Sequence, residues 1–136
     1  MKNYELIEHT ADVRLKVEAS TLQELFEVSL FGMAEITKKD ICQKECFEQK
    51  EINLTSIDAT ALLVDFLSEV LGITHSEKIV FCKINIEELT DAKINCTVFG
   101  TKVDHFDEDI KAVTFHEAEI KKTSKGNFET IIVFDI

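Results

Sequence analysis

The spacing of apolar residues predicts two amphipathic helices. After Thr21, apolar side chains recur every three or four residues over residues 22–37. Thr21 and the glutamate three residues later form the capping box that often starts a helix. A second apolar stripe follows Ser56 and Asp58, either of which could cap a helix, and its helical spacing stops at Gly72.

Apolar and polar residues alternate over residues 13–19, which predicts a strand. Further strands are predicted at 4–8, 79–86, 92–99, 110–120 and 128–136, with an exposed strand or hairpin arm within 41–54. The run from Ile131 to Phe134 is apolar throughout and predicts a central strand buried on both faces. Helices and strands that are segregated rather than alternating favour a two-layer α+β fold, with both helices packed on a mixed or largely antiparallel sheet.

The length of the chain and its net charge limit the classes of function that the protein can have. The 136 residues fit one domain covering 1–136. The 15 basic and 26 acidic residues leave a net charge of −11, which disfavours direct nucleic-acid binding and favours a basic protein or a hard cation as partner. No apolar run is long enough to cross a bilayer and no signal-peptide core is present, so we expect a cytoplasmic protein without a membrane partner.

The four cysteines show no metal-binding or redox pattern. Cys42, Cys46, Cys82 and Cys96 form no C-x-x-C pair and have no histidine pair at zinc-finger spacing. We therefore expect four buried or half-buried thiols in a reducing compartment.

Carboxylates occur at both ends of the predicted fold. Asp12 follows a predicted strand, and Asp135 directly precedes the last residue, Ile136. Asp12 has two interpretations: a turn residue that hydrogen-bonds its own backbone, or a metal ligand together with Asp135 and the terminal carboxylate of Ile136. The second, all-oxygen set would suit Ca²⁺ or Mg²⁺ rather than Zn²⁺.

Lys111 and the histidines are further candidates. Lys111 begins an apolar strand, where it could be a solvated rim charge or a contact for a nucleotide phosphate or a partner's carboxylate. The four histidines form no H-x-H or H-E-x-x-H pattern, although His9 and His116 could face one cleft as an acid and a base.

Four segments together resemble the archease family. They are HTADV at 9–13, LLVDFLSEVL at 62–71, DIKAVTFHEAEI at 109–120 and VFDI at 133–136. They occur in the family's order and span essentially the whole chain.

The resemblance implies an accessory protein rather than an enzyme. Archeases activate RtcB-type RNA ligases, which join RNA ends in tRNA splicing and RNA repair, by stimulating ligase guanylylation and multiple turnover. The family also implies a divalent cation, which we expect to be Ca²⁺, with Mg²⁺ or Mn²⁺ as alternatives. By matching motif, Asp12, Asp135 and Ile136 are the expected metal ligands and Lys111 the residue for ligase activation; His9 and His116 receive no role.

One departure from the family pattern adjoins the expected metal site. Arg14 stands where the family usually has glycine, which puts a long cationic side chain near the carboxylates. Two other functions remain open. One is a metal-dependent hydrolase or phosphotransferase that uses Asp12, Asp135 and a histidine. The other is a passive, chaperone-like binding module that uses an exposed strand edge.

Overall fold

Two helices and seven strands make up the described part of the chain. The structure is a computed structural model that describes residues 12–115 and 118–136. The helices are α1 (Leu22–Thr37) and α2 (Ala59–Glu77), with a short 3₁₀ helix at Ile41–Gln43. The strands are β1 (Asp12–Ala19), β2 (Glu48–Thr55), β3 (Ile79–Leu89), β4 (Lys93–Lys102), β5 (Ala112–Thr114), β6 (Lys121–Lys122) and β7 (Phe128–Asp135). The strand predicted at 4–8 lies outside the described residues.

The strands form two sheets. One has the order β1-β7-β5, with β6 also paired to β7, and the other has the order β2-β4-β3. Within the residues described, every strand pairing is antiparallel. The predicted α+β class with two helices is thus confirmed. The central position predicted for the last strand is also confirmed, because β7 lies between β1 and β5 and buries Ile132, Val133 and Phe134.

Side-chain caps determine where both helices begin. The Glu24 N–H donates to Thr21 Oγ1 at 3.0 Å, and the Ser20 N–H donates to Glu24 Oε1 at 2.9 Å. Asp58, rather than Ser56, caps α2, since its Oδ1 accepts from the Ala61 N–H at 2.8 Å. Each cap satisfies a main-chain donor that has no partner inside the helix.

The end predicted for the second helix at Gly72 is wrong. α2 continues to Glu77, because Thr74 extends the buried stripe and Gly72 lies on the exposed face. A glycine inside a helix costs only about 1 kcal/mol relative to alanine, which packing can offset. The helix ends at Lys78, which has a positive φ of 54°.

The strand predicted over 110–120 is also too long, since among the residues described in that span only Ala112–Thr114 pairs with β7. Farther along, main-chain groups bond to side chains instead. Thr130 Oγ1 donates to the Ala118 carbonyl at 2.7 Å, and the Ile120 N–H donates to Thr60 Oγ1 at 3.1 Å. The alternation of apolar and polar residues in the sequence does not reveal that side chains here replace the hydrogen bonds of a neighbouring strand.

The main core lies between the helices and the sheets. Phe26 of α1 and Phe66 of α2 are fully buried, with ring centroids 5.7 Å apart. A smaller cluster joins the end of α1 to β3 and contains Ala34, Ile41, Val80 and Cys82. Among the described residues, neither helix has both the length and the hydropathy needed to cross a bilayer.

The smaller cluster contains a disulfide, so the expectation of four free thiols is wrong for two of them. Cys42, in the 3₁₀ helix, is bonded to Cys82 of β3, with a Cα–Cα distance of 5.5 Å. The register of β3 shifts between Phe81 and Lys83, so Cys82 lies at a bulge with no partner on β4. A bulge redirects a side chain out of the regular alternation. Cys46 and Cys96 are free thiols.

Candidate functional site

The register of β1 and β7 places the two predicted carboxylate ligands side by side. Asp12, the first residue of β1, is the direct antiparallel partner of Asp135, the last residue of β7. Directly opposed residues have Cβ atoms about 5 Å apart, and their side chains project from the same face of the sheet. The structure therefore brings together two residues that are 123 positions apart in the chain.

Both carboxylates project from the sheet face that points away from the main core. Their neighbours Val13 and Phe134 are paired with each other and pack into that core. Because side chains alternate between faces, Asp12 and Asp135 project from the other side. The Asp12 side chain is 39% exposed and Asp135 is exposed. Like charges directly opposite each other destabilise a strand pair, so a nearby positive charge is stabilising here.

Arg14 supplies one such charge. Its position two residues after Asp12 puts it on the same sheet face, and its Nη2 lies 3.9 Å from Asp12 Oδ2. The Arg14 side chain is 48% exposed, so solvent weakens this ion pair. Arg14 thus lies close to the Asp12 carboxylate, as its position in the sequence predicts.

Lys111 lies next to Asp135, on the side of β7 opposite β1. Its main-chain N–H donates to the Asp135 carbonyl oxygen at 2.6 Å, and the next residue, Ala112, pairs with Asp135. The exposed Lys111 also lines a cavity of about 230 Å³ between α2 and β5, together with Ser68 and His75. We group Asp12, Asp135 and Lys111 as the candidate site because they come from three adjacent strands or strand ends. Lys111 contacts Asp135 through its main chain, and its side chain lines the cavity beside α2.

The donor set is chemically suited to a hard cation. Asp12 and Asp135 offer carboxylate oxygens, and half-buried Ile136 follows directly with its main chain at the same strand end. Ca²⁺ and Mg²⁺ prefer oxygen ligands and complete their coordination with water. Among residues 12–115 and 118–136, no three side chains of His, Cys, Asp or Glu converge as a metal-binding group. The predicted set has only two such side chains, so its assignment to a metal stays a prediction.

Two histidine contacts were not found by sequence reasoning. His75 Nε2 lies 3.4 Å from Asp109 Oδ1, near Lys111, and the His75 ring packs 5.8 Å from the Phe106 ring. No sequence spacing signals this pair, because one residue lies on α2 and the other on a loop that follows β4. His9 and His116 lie outside the described residues.

The fold and the site define a class of protein: a small, acidic α+β protein that presents paired carboxylates and a lysine at one end of its central strand. The chain belongs to the archease family. The sequence model of the Archease protein family (MTH1598/TM1083) matches residues 4–136. The predicted resemblance is therefore confirmed.

Individual relatives agree with this assignment. The chain is 35% identical to the protein archease of Methanosarcina mazei, with 99% of this chain and 97% of that protein covered. It is 32% identical to the protein archease of Thermococcus kodakarensis over the full length of both chains. A relative named protein archease-like from Drosophila melanogaster is 30% identical, with 98% and 90% covered.

Solved structures show the same fold. The solution structure of Methanobacterium thermoautotrophicum protein 1598 matches with a TM-score of 0.75 and 30% identity, covering 93% of this chain and 94% of that one. The crystal structure of a Thermotoga maritima archease, described as a possible chaperone, matches with a TM-score of 0.69 and 18% identity, covering 94% and 93%. The second likeness concerns the fold alone.

Proposed function

We propose that this protein activates an RtcB-type RNA ligase in tRNA splicing and RNA repair, by stimulating ligase guanylylation and multiple turnover. Membership of the archease family supports the proposal. The observation that carries it is the direct opposition of Asp12 and Asp135 beside Lys111. Asp12, Asp135 and Lys111 are the motif residues that the family resemblance assigns to this role.

The three side chains offer a partner both signs of charge. The exposed carboxylate of Asp135 and the half-exposed carboxylate of Asp12 can contact cationic groups of the ligase, and the exposed ammonium group of Lys111 can contact a phosphate or a carboxylate. An activator shifts its partner toward a conformer only if it binds that conformer better than the idle one. In this proposal, the candidate site binds the guanylylation-competent conformer of the ligase more tightly than it binds the idle conformer.

A divalent cation is part of the proposal. Asp12 and Asp135 would hold it through their side chains and Ile136 through its terminal carboxylate, with Ca²⁺ expected and Mg²⁺ or Mn²⁺ as alternatives. When bound, the cation would neutralise the repulsion between the carboxylates. The protein's own residues then have the task of keeping both strand ends in register, which the β1–β7 pairing does.

The direct test is a reconstituted ligation with the host's RtcB-type ligase. The reaction contains GTP, a divalent metal and RNA strands that carry a 3′-phosphate and a 5′-hydroxyl. We expect wild-type protein to raise ligase guanylylation and to convert single turnover to multiple turnover. Asp12→Asn, Asp135→Asn and Lys111→Gln should each lose most of this stimulation.

Two control variants change the same charges elsewhere. Asp91→Asn alters an exposed carboxylate between β3 and β4, and Lys125→Gln alters an exposed lysine between β6 and β7. Both should stimulate as wild type does. Full stimulation by all three site variants would refute the residue assignment, and no stimulation by wild type would refute the activator role.

The same preparation separates the activator from the alternative functions. A metal-dependent hydrolase or phosphotransferase would turn over phosphate esters without the ligase, and it would lose that turnover in Asp12→Asn. A passive binding module would bind the ligase without changing its guanylylation rate. The activator proposal predicts a changed guanylylation rate and no phosphate-ester turnover by the protein alone.

A further inference from the structure

Three lysines line one cavity where α1 and β4 end. The cavity has a volume of about 200 Å³, and Lys38, Lys44 and Lys102 are in its wall with Asp104 and His105. Lys38 follows α1, Lys44 follows the 3₁₀ helix and Lys102 is the last residue of β4. The fold, rather than a run of basic sequence, brings these charges together. We call it the lysine cavity.

The charge of the lysine cavity is opposite to that of the whole molecule. The chain carries 26 acidic and 15 basic residues, yet the wall has three lysines and one aspartate. Lys38 pairs with Asp107 at 3.4 Å. Within the described part of the chain, Lys44 and Lys102 are exposed, and their side-chain ammonium groups have no hydrogen bond or ion pair. Three lysines therefore stand against two aspartates, Asp104 in the wall and Asp107 beside Lys38, which leaves an excess of one positive charge at the cavity.

Hydrogen bonds hold the walls of the lysine cavity in place. Thr101 Oγ1 donates to the Glu45 carbonyl at 2.8 Å, and the Asp107 N–H donates to the Thr37 carbonyl at 2.8 Å. The Lys39 N–H donates to Asp107 Oδ2 at 2.9 Å. That bond, followed by the contact with Lys38, holds the pKa of Asp107 below its ordinary value. The lysines therefore project from segments that are already tied together.

His105 lies in the wall next to Lys38. Lys38 Nζ lies 3.0 Å from His105 Nε2. An ammonium group only donates, so Nε2 accepts and the ring proton is on Nδ1.

We propose that the lysine cavity binds the phosphate group of a small phosphomonoester, such as a mononucleotide. Ammonium groups act as point charges from several directions, which suits a tetrahedral dianion better than a planar carboxylate. The net charge of −11 repels a long polyanion such as RNA, so the surroundings favour a small ligand. This site shares no residue with Asp12, Asp135 and Lys111, and it does not depend on the proposed ligase activation.

The test is an amide-resonance NMR titration of the full-length protein at constant ionic strength. The probes are inorganic phosphate, AMP and adenosine, which differ in whether the phosphate or the nucleoside is present. We expect phosphate and AMP to shift the amides of Lys44, Lys102 and Val103, and adenosine to leave them unchanged. Tighter binding of AMP than of phosphate would identify a nucleotide as the ligand, whereas equal binding would identify the phosphate group alone.

Charge variants test whether the lysine cavity is responsible. Lys44→Gln and Lys102→Gln should each weaken phosphate binding at least about fivefold, the effect of two unit charges about 4 Å apart in a water-like dielectric. Lys125→Gln removes the same charge from an exposed turn and should have no effect.

Three results would overturn the proposal. Lys125→Gln could weaken binding as much as the cavity variants do, which would indicate general charge screening. Adenosine could bind as well as AMP. A glutamate-rich peptide, or an RNA strand ending in a 3′-phosphate, could bind more tightly than AMP at the same amides, which would assign the surface to a macromolecule.

Discussion

Arg14 places a positive charge beside the paired carboxylates. Its guanidinium contacts Asp12 at 3.9 Å on the same sheet face. Without a metal ion, this charge reduces the repulsion between Asp12 and Asp135. The same charge opposes a divalent cation, because both would occupy the region next to the Asp12 carboxylate. Arg14 therefore weakens the cation affinity that the two aspartates would otherwise have.

Replacing Arg14 should strengthen cation binding. We expect Arg14→Gln to bind Ca²⁺ roughly 30-fold more tightly, since a unit charge about 4 Å from a divalent cation contributes about 2 kcal/mol in a water-like dielectric. Isothermal titration calorimetry with Ca²⁺ measures this, with Lys125→Gln as the control for net charge. Unchanged or weaker Ca²⁺ binding by Arg14→Gln would show that the arginine does not face the cation.

Because of Cys96, the free energy of unfolding depends on pH in the alkaline range. Burial raises the pKa of this thiol from 9.0 to about 12, and the negative charge of Glu87 adds to the effect. The unfolded chain loses the Cys96 proton at a lower pH than the folded protein does. The contribution of Cys96 to the free energy of unfolding is therefore fully present below the pKa of the thiol in the unfolded chain. It is lost as the pH rises through the pKa of the thiol in the folded protein.

Denaturant unfolding across this pH range tests the Cys96 shift. We expect the free energy of unfolding to fall above pH 9.0, the ordinary pKa of the thiol. The fall should be shallower in Cys96→Ala, which has no thiol to ionise, by up to about 1.4 kcal/mol per pH unit. Cys46→Ala should keep the wild-type slope. The same slope in Cys96→Ala and wild type would contradict the assignment.

Among the elements, the 3₁₀ helix and β3 are joined by the Cys42–Cys82 disulfide. The two residues are 40 positions apart, so the bond closes a long loop of the unfolded chain. In the chain-entropy account, closing a loop of this length stabilises the folded state by roughly 4 kcal/mol. The same bond tethers the 3₁₀ helix next to Lys44, in one wall of the lysine cavity.

A reductant should lower the melting temperature through this bond. We expect dithiothreitol to lower the Tm of the oxidised protein by roughly 10 °C, because each kcal/mol corresponds to a few degrees in a domain of this size. Cys42→Ser should melt at the reduced value with and without reductant, and Cys46→Ser should respond as wild type does. A wild-type Tm that reductant leaves unchanged would show that the bond does not contribute to stability.

The elements also show how far the sequence could predict the fold. Residues 22–37 were predicted as a helix with the boundaries that α1 has, because a capping box and a regular apolar stripe are local signals. The bulge at Cys82 and the shortened β5 were not predicted, because each depends on partners distant in the chain. The split into two sheets is likewise a matter of pairing.

The sequence predicted which residues belong to the candidate site, but it did not predict how they are arranged. The matching motifs named Asp12, Asp135 and Lys111, while only the β1–β7 register places the two carboxylates opposite each other. The lysine cavity had no sequence signal, since Lys38, Lys44 and Lys102 come from separate elements. Contacts between side chains of distant segments are set by tertiary packing.

On the scale of the whole molecule, the net charge of −11 affects the rate at which the protein associates with a partner. A strongly acidic surface speeds encounter with a basic one, and added salt screens that attraction. If the ligase presents a basic surface, the association rate should fall about tenfold or more between low and high salt. Stopped-flow association at several salt concentrations measures this. Rates that do not change with salt would rule out electrostatic steering.

The central claim is that the strand ends holding Asp12 and Asp135 enclose one divalent cation. Calcium titration of the full-length protein, with stoichiometry from calorimetry and native mass spectrometry, tests it most directly. We predict one Ca²⁺ per chain in wild type and in Asp91→Asn, and none in Asp12→Asn or Asp135→Asn. Equal calcium binding by wild type and both site variants would contradict the account.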